Sequence, residues 1–276
     1  MEKKAFHKRA YQPGKAYFEG YYYKHQKGEH TLCFIPGRNR GQAFIQVIAD
    51  GEVFHIPYIG GNEFSPAGVR VDIDHPGCHL TGEIRYDGLT PLKSDIMGPF
   101  AHLPMQCRHG IVSMRHRLTG GVQLNGRYLD FTDGVGYIEK DSGRSFPRKY
   151  LWVQCNDFPG DDAVMAAVAD IPFLGGRFTG CISAVWHAGR EYRFATYRGV
   201  HIEEENAHRL LLRQGRRRLV IDMQPSTGQE LLAPQQGAMT RLIRESPCAP
   251  ARFRLYEGDS LLFDRESPHA SMEYVN

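Results

Sequence analysis

The sequence predicts an all-β protein of antiparallel strands with little helix. Three observations carry that expectation: tight-turn dipeptides set between β-branched or aromatic runs, no sustained helical periodicity, and a faint echo between two parts of the chain. Tyr17 to Gln26 (YFEGYYYKHQ) opens the pattern as an aromatic strand. AFIQVIA and EVFHIPYI flank Asp50-Gly51, GEIRY runs into Asp87-Gly88, and GGVQL and RYLDF flank Asn125-Gly126. These dipeptides supply the positive φ angles of hairpin turns. Gly136 to Asp141 reads as extended, and Gly143-Arg144-Ser145 turns the chain into a strand at Tyr150 to Asn156.

Along that strand Tyr150, Trp152, Gln154 and Asn156 share one face, and Leu151, Val153 and Cys155 the other. Neither face carries a charge, so the strand is expected to pack a core on one side and to line an aromatic, hydrogen-bonding cavity on the other. Asp161 to Ala169 (DDAVMAAVA) is readable as a short helix or a strand. Ala188-Gly189 then splits CISAVWH from REYRFATY, and further pairs follow at RLLLRQGRRRLVIDM and FRLYEGDSLLFD. The echo aligns Tyr17–Gln26 with Pro147–Asn156, two aromatic strands ending in amides or imidazole, as though each opened one of two similar halves.

A chain of 276 residues with 34 basic and 31 acidic side chains has no charge excess that calls for nucleic acid. The run Arg216-Arg217-Arg218 reads as a solvated hairpin end. Six scattered cysteines form no C-x-x-C pair and read as reduced thiols. No apolar run approaches a membrane span and the charged start lacks an apolar segment, so a cytoplasmic protein is the expectation. No nucleophile elbow, phosphate loop or dinucleotide fingerprint is present. His75, Cys78 and His79 cluster without a second set of ligands, and His102, His109 and His116 are separated by helix breakers, so no metal site is expected.

The candidate chemistry lies in carboxyls among aromatics. Glu19 shares a strand face with Tyr17, Tyr21, Tyr23 and His25; it is either a carboxyl with a raised pKa or the partner of a basic residue that pins the barrel. Tyr137, Glu139 and Asp141 share another face. Two carboxylates two residues apart repel, so one can keep its proton and act as an acid; the alternative is a corner paired with Lys140, Arg144 or Arg148. Trp186 and His187 precede a turn at the mouth of a cavity. Such a lining suits an apolar ligand with a few polar handles.

YFEGYYYKH, DIMGPFAHLPMQCRHGIVSMRH and above all GYIEKDSGRSFPRKYLWVQCN resemble the bacterial branch of the tocopherol cyclase family, as do WHAGREYRFATYRG and the stretch near LLAPQQGAMTRLIRES. The resemblance implies a double calycin, or lipocalin-like, fold related to carotenoid hydratases, here expected as β-barrel halves at 1–143 and 144–276. It implies acid-initiated closure of a chromanol ring from a prenylated hydroquinone, with no cofactor or metal. On that basis Glu139 or Asp141 would be the acid, Tyr21, Tyr23, Trp152 and Trp186 the cation-facing wall, and Gln154 and Asn156 the orienting groups, with Glu19 and His187 also on the substrate. The partner would be a hydrophobic small molecule, collected by peripheral contact with a membrane. A carrier for such a molecule, or a hydratase of an isoprenoid alkene, would use the same barrel. One departure stands out: the family usually has tryptophan where this chain has Ser142.

Overall fold

A computed structural model describes residues 17–39, 42–173, 175–224 and 228–276. The first sheet comprises β1 (Phe18–Lys27), β2 (His30–Asn39), β3 (Gln42–Ala49), β4 (Glu52–Ile56), β5 (Glu63–Ser65), β6 (Gly68–His75), β7 (Cys78–Asp87), β8 (Cys107–Leu124), β9 (Arg127–Asp130) and β10 (Val135–Gly143). The second comprises β11 (Tyr150–Cys155), β12 (Ala163–Phe173), β13 (Gly176–His187), β14 (Arg190–Ala195), β15 (His201–Glu205), β16 (Arg209–Gln214), β17 (Arg217–Met223), β18 (Gln229–Gln235), β19 (Ala238–Glu257) and β20 (Ser260–Val275). Two short 3₁₀ turns, Gly98–His102 and Thr196–Arg198, are the helical content among the described residues.

The sheets repeat one topology. The first runs β4-β3-β2-β1-β10-β8-β7-β6-β5 with β9 on β8, and the second runs β14-β13-β12-β11-β20-β19-β17-β16-β15 with β18 on β19. β1 and β11, the strands of the echo, hold the same central place. Each path is open at its ends, so each sheet is a curled half-barrel rather than a hydrogen-bonded closed one.

The predicted turns form where both central residues reach positive φ: Asp50 and Gly51, Asn125 and Gly126, Ala188 and Gly189. Asp87-Gly88 differs. It ends β7, but LTPLKSDIMGPF carries no β-forming run, and the chain continues through the first 3₁₀ turn before β8 begins. The alanine-rich stretch after Asp161 is strand β12, paired along its length between β11 and β13; hydrogen-bonding neighbours on both sides outweigh the helix propensity of alanine. The arginine run ends a hairpin, with Arg217 paired to Glu257 and Arg218 over the Tyr256 ring.

Contacts cluster the chain into two units. One takes the described residues up to Pro91 together with Ile111–Phe146 and Leu232–Arg241; the other takes Leu92–Gly110, Pro147–Leu231 and Leu242–Asn276. Each therefore includes a segment from the far part of the sequence, and each segment is fastened by a buried side chain. In the first unit the Gln46 amide accepts from the Leu232 N–H at 2.8 Å and donates to its carbonyl at 3.0 Å. In the second, Arg193, 1% exposed, donates to the Asp95 carbonyl at 2.7 Å and to the carbonyl and hydroxyl of Ser94, and pairs with Glu191. A guanidinium can fasten a loop this way because its fixed fork reaches several carbonyls at once.

The second core is apolar, built on Leu151, Val153, Cys155, Phe194 and Phe253. The first encloses polar groups among Tyr23, Leu32, Phe34, Ile138 and their neighbours. His25 is fully buried: Nδ1 lies 2.9 Å from the Leu32 carbonyl, which fixes the proton there and leaves Nε2 to accept from the Tyr86 hydroxyl at 2.7 Å. The His116 ring lies 4.4 Å from the Tyr86 ring and its Nδ1 bonds Ser113. Burial, only partly opposed by the Leu32 hydrogen bond, lowers the His25 pKa to about 4; burial and the neighbouring His25 lower that of His116 to about 3.

Two consequences follow for stability. A Cβ on Gly136 would fall 2.2 Å from His116 Nε2 and 2.8 Å from Leu118 Cδ2. Gly136→Ala should therefore cost about 1 to 3 kcal/mol in urea unfolding, the range for overpacking a core, and His116→Ala in the same chain should recover part of it. For His25 the folded pKa lies below the unfolded one, so the unfolded chain takes the proton first. Its stabilising contribution is complete above about pH 6.5 and declines as pH falls toward 4, by about 2 to 3 kcal/mol at pH 4.5. Urea melts at pH 7.5 and 4.5 should show that extra loss in the wild type and not in His25→Asn, which keeps a donor for Leu32.

Candidate functional site

β11 is buried on both faces along its length, and β1 is so apart from the partly exposed Gly20, Tyr21 and Lys27. One face of each joins the core of its unit. The other face carries the buried polar groups, and these are the candidate site.

In the first unit the antiparallel register sets Tyr22 opposite Glu139, Lys24 opposite Tyr137 and Gly20 opposite Asp141. Opposed residues share a side of the sheet. Glu139 is 5% exposed and Tyr137 is fully buried; the Tyr137 hydroxyl donates to Glu139 Oε2 at 2.6 Å. Burial holds the Tyr137 pKa well above that of a free phenol, so it stays a donor. Asp141 follows on the same face, and one oxygen of each carboxyl lies within 4.8 Å of the other and of a His109 ring nitrogen, so His109, expected in no metal site, joins a set that could hold a metal ion. Lys24, 1% exposed, lies on the same face.

Tyr21, Tyr23 and Glu19 lie on the other side of β1. They oppose Lys140, Ile138 and Ser142, and Tyr21 stacks on Tyr23 with ring centroids 5.9 Å apart. The register thus separates these tyrosines from Glu139 and Asp141, and the aromatic beside Glu139 is Tyr22. Glu19, 2% exposed, meets the Lys140 ammonium, which also sits 5.1 Å from the Tyr21 ring centroid. Burial disfavours the Lys140 charge, but Glu19 and Tyr21 outweigh it and raise its pKa. This is the pinning pair that the sequence offered as the alternative for Glu19. Ser142 lies on this side too, so the departure from the family's tryptophan falls on the sheet face away from Glu139.

In the second unit Tyr150, Trp152 and Gln154 face the same way, opposite Val275, Glu273 and Ser271 of β20 and Ala169, Ala167 and Met165 of β12. Asn156 continues the face one residue beyond β11, 1% exposed. Trp186 of β13 opposes Ala163 and joins them. His187 points to the other side, where Nδ1 lies 2.8 Å from an Asp162 oxygen and the ring meets the edge of Phe263. Asp162 also accepts from Arg265, so His187 belongs to a charged corner beside the core.

Sequence reasoning passed over Tyr22 and Lys24, whose face depends on register, and the glutamates Glu245 and Glu273. These two oppose each other on β19 and β20, 1% and 9% exposed, and the Tyr150 hydroxyl donates to Glu273 at 2.5 Å. A signal for them exists. Tyr22 opposes Glu139 as Trp152 opposes Glu273, and the echo aligns Tyr22 with Trp152; extending it to the last strand of each half pairs GYIEK with ASMEY.

Residues 92–274 match the model of a family described as tocopherol cyclase-like. The chain is 39% identical over 51 residues to the chloroplastic tocopherol cyclase of Zea mays, a match covering 18% of this chain and 11% of that protein. It is 34% identical over 82 residues to a probable chloroplastic tocopherol cyclase of Oryza sativa subsp. japonica, covering 29% of this chain and 17% of that protein. The matched part is thus a small fraction of either plant protein's length. Among solved structures, kievitone hydratase from Nectria haematococca superposes with a TM-score of 0.54 at 12% identity, over 98% of this chain and 93% of that one. CghA superposes with a TM-score of 0.61 at 10% identity, over 96% and 93%. The fold is that of these proteins, and with the family model matching well over half of its length, the chain belongs to the tocopherol cyclase-like family.

Proposed function

We propose that the protein is a cyclase-type enzyme that closes a ring in a prenylated hydroquinone or related isoprenoid, with Glu139 as the proton donor. The observation that carries this reading is the Glu139 carboxyl itself: buried, hydrogen-bonded at one oxygen by Tyr137, and within reach of a second carboxyl. Burial supports that role, because desolvation disfavours the charged form of a carboxyl.

The step is an isomerisation. The Glu139 proton adds to the less substituted alkene carbon, the ring hydroxyl oxygen bonds to the tertiary cation, and the hydroxyl proton leaves to the Asp141 carboxylate. Tyr22, opposite Glu139, offers the aromatic face for the cation. No redox equivalent enters or leaves. Capture of the cation by water in place of the ring hydroxyl would give a hydrate, the outcome that "hydratase" in the Nectria protein's name denotes.

Purified protein incubated in deuterated water with prenylated hydroquinones should give a closed-ring product with one carbon-bound deuterium; a mass one water higher would assign hydration instead. Glu139→Gln keeps an acceptor for Tyr137, so it should fold with wild-type stability and lose turnover by about 10² to 10⁴, the range for removing a general acid. Unchanged turnover in both Glu139→Gln and Asp141→Asn would overturn the assignment, and tight binding without turnover in the wild type would make the protein a carrier.

A further inference from the structure

We infer that Gln154 is the head-group contact of a ligand site on the β11 face of the second unit, and that it takes a neutral aromatic hydroxyl. The side chain is fully buried, and among the described residues neither its amide oxygen nor its amide nitrogen has a hydrogen-bond partner. Leaving both unpaired is unfavourable, and native proteins rarely do so without a group that arrives later. The hydroxyls nearest on this face donate elsewhere: Ser271, directly opposite, to the Pro247 carbonyl at 3.4 Å, and Tyr150 to Glu273.

The chemistry of the missing partner follows from the amide. One NH₂ and one C=O side by side are both satisfied by a hydroxyl, which accepts from the first and donates to the second. The same face supplies the setting for a ring. Trp152 lies two residues before Gln154, and on the β12 side of the face Met165 stands directly opposite Gln154 with the small Ala163, Ala167 and Ala169 on either side of it. An aromatic ring lying over Trp152 with its hydroxyl at Gln154 meets both requirements. The choice of a phenol as the class rests on the cyclase reading; the unpaired amide does not.

The two tryptophans of the chain, Trp152 and Trp186, are both on this face, so intrinsic fluorescence reports it without a label. The probe is a hydroquinone with a saturated alkyl chain, which has no alkene to protonate, compared with its dimethyl ether. The wild type should bind the hydroquinone at least about tenfold more tightly, since the ether cannot donate to the amide oxygen. Gln154→Met, close in volume and without polar atoms, should bind the two within about threefold of each other and melt no lower than the wild type. Failure of the wild type to bind the hydroquinone, equal binding of both probes, or persistence of the preference in Gln154→Met would overturn the inference. A lowered melting temperature in Gln154→Met would do the same, by making the amide structural. Glu139→Gln should keep the full preference, so a wrong acid assignment shows in turnover alone and a wrong head-group assignment in binding alone.

Discussion

A strand buried on both faces has nowhere to place a polar group except against a partner, and β11 and most of β1 are such strands. That constraint organises each unit. Where the partner is at hand the structure uses it: Tyr137 donates to Glu139, Tyr150 to Glu273, and Lys140 meets Glu19. Inside the first core the same rule keeps His25 neutral between the Leu32 carbonyl and the Tyr86 hydroxyl, and requires a glycine at 136 so that His116 fits beside it. At Gln154 no partner is found among the described residues, and this is the amide for which a ligand is proposed.

The repeated topology gives each unit a glutamate on the same edge of its central strand, yet the two are held differently. Glu139 is bonded by a tyrosine two residues before it on its own strand; Glu273 is bonded by one on the neighbouring strand and opposes a second glutamate. At the position after the glutamate on that face the first unit has Asp141 and the second has Val275. The first arrangement sets a second carboxyl along the strand, the pair to which the proposed proton transfer is assigned. The second sets its extra carboxyl across the strands and an amide diagonally opposite. One duplicated framework thus carries two sets of polar chemistry.

Much of this was legible in the sequence, for physical reasons that also set its limit. Turn dipeptides mark hairpins because few residues tolerate positive φ, and the uncharged alternation of Tyr150 to Asn156 identifies a strand without a solvent face. The aromatic–amide echo proves to be topological equivalence of β1 and β11. Register is different. Alternation says that Tyr21 and Tyr23 share a face and Tyr22 and Lys24 the other, but only pairing with β10 decides which of the two faces Glu139, and a shift of one residue would exchange them. The grouping of Leu92–Gly110 with the second unit and Leu232–Arg241 with the first was hidden as well. It depends on Arg193 and Gln46 bonding backbone carbonyls and amides, groups that every residue possesses and no sequence pattern displays.

The Ser142 departure gains its meaning from the same register. A substitution within the family's most specific run invites the conclusion that the acid site has changed, because Ser142 directly follows Asp141. Alternation reverses that conclusion: consecutive residues of a strand face opposite sides, and Ser142 stands across from Glu19, next to the Lys140 and Tyr21 contact. Ser142 thus sits beside the Glu19 and Lys140 pair, while Tyr137, Glu139 and Asp141 lie on the opposite face of β10.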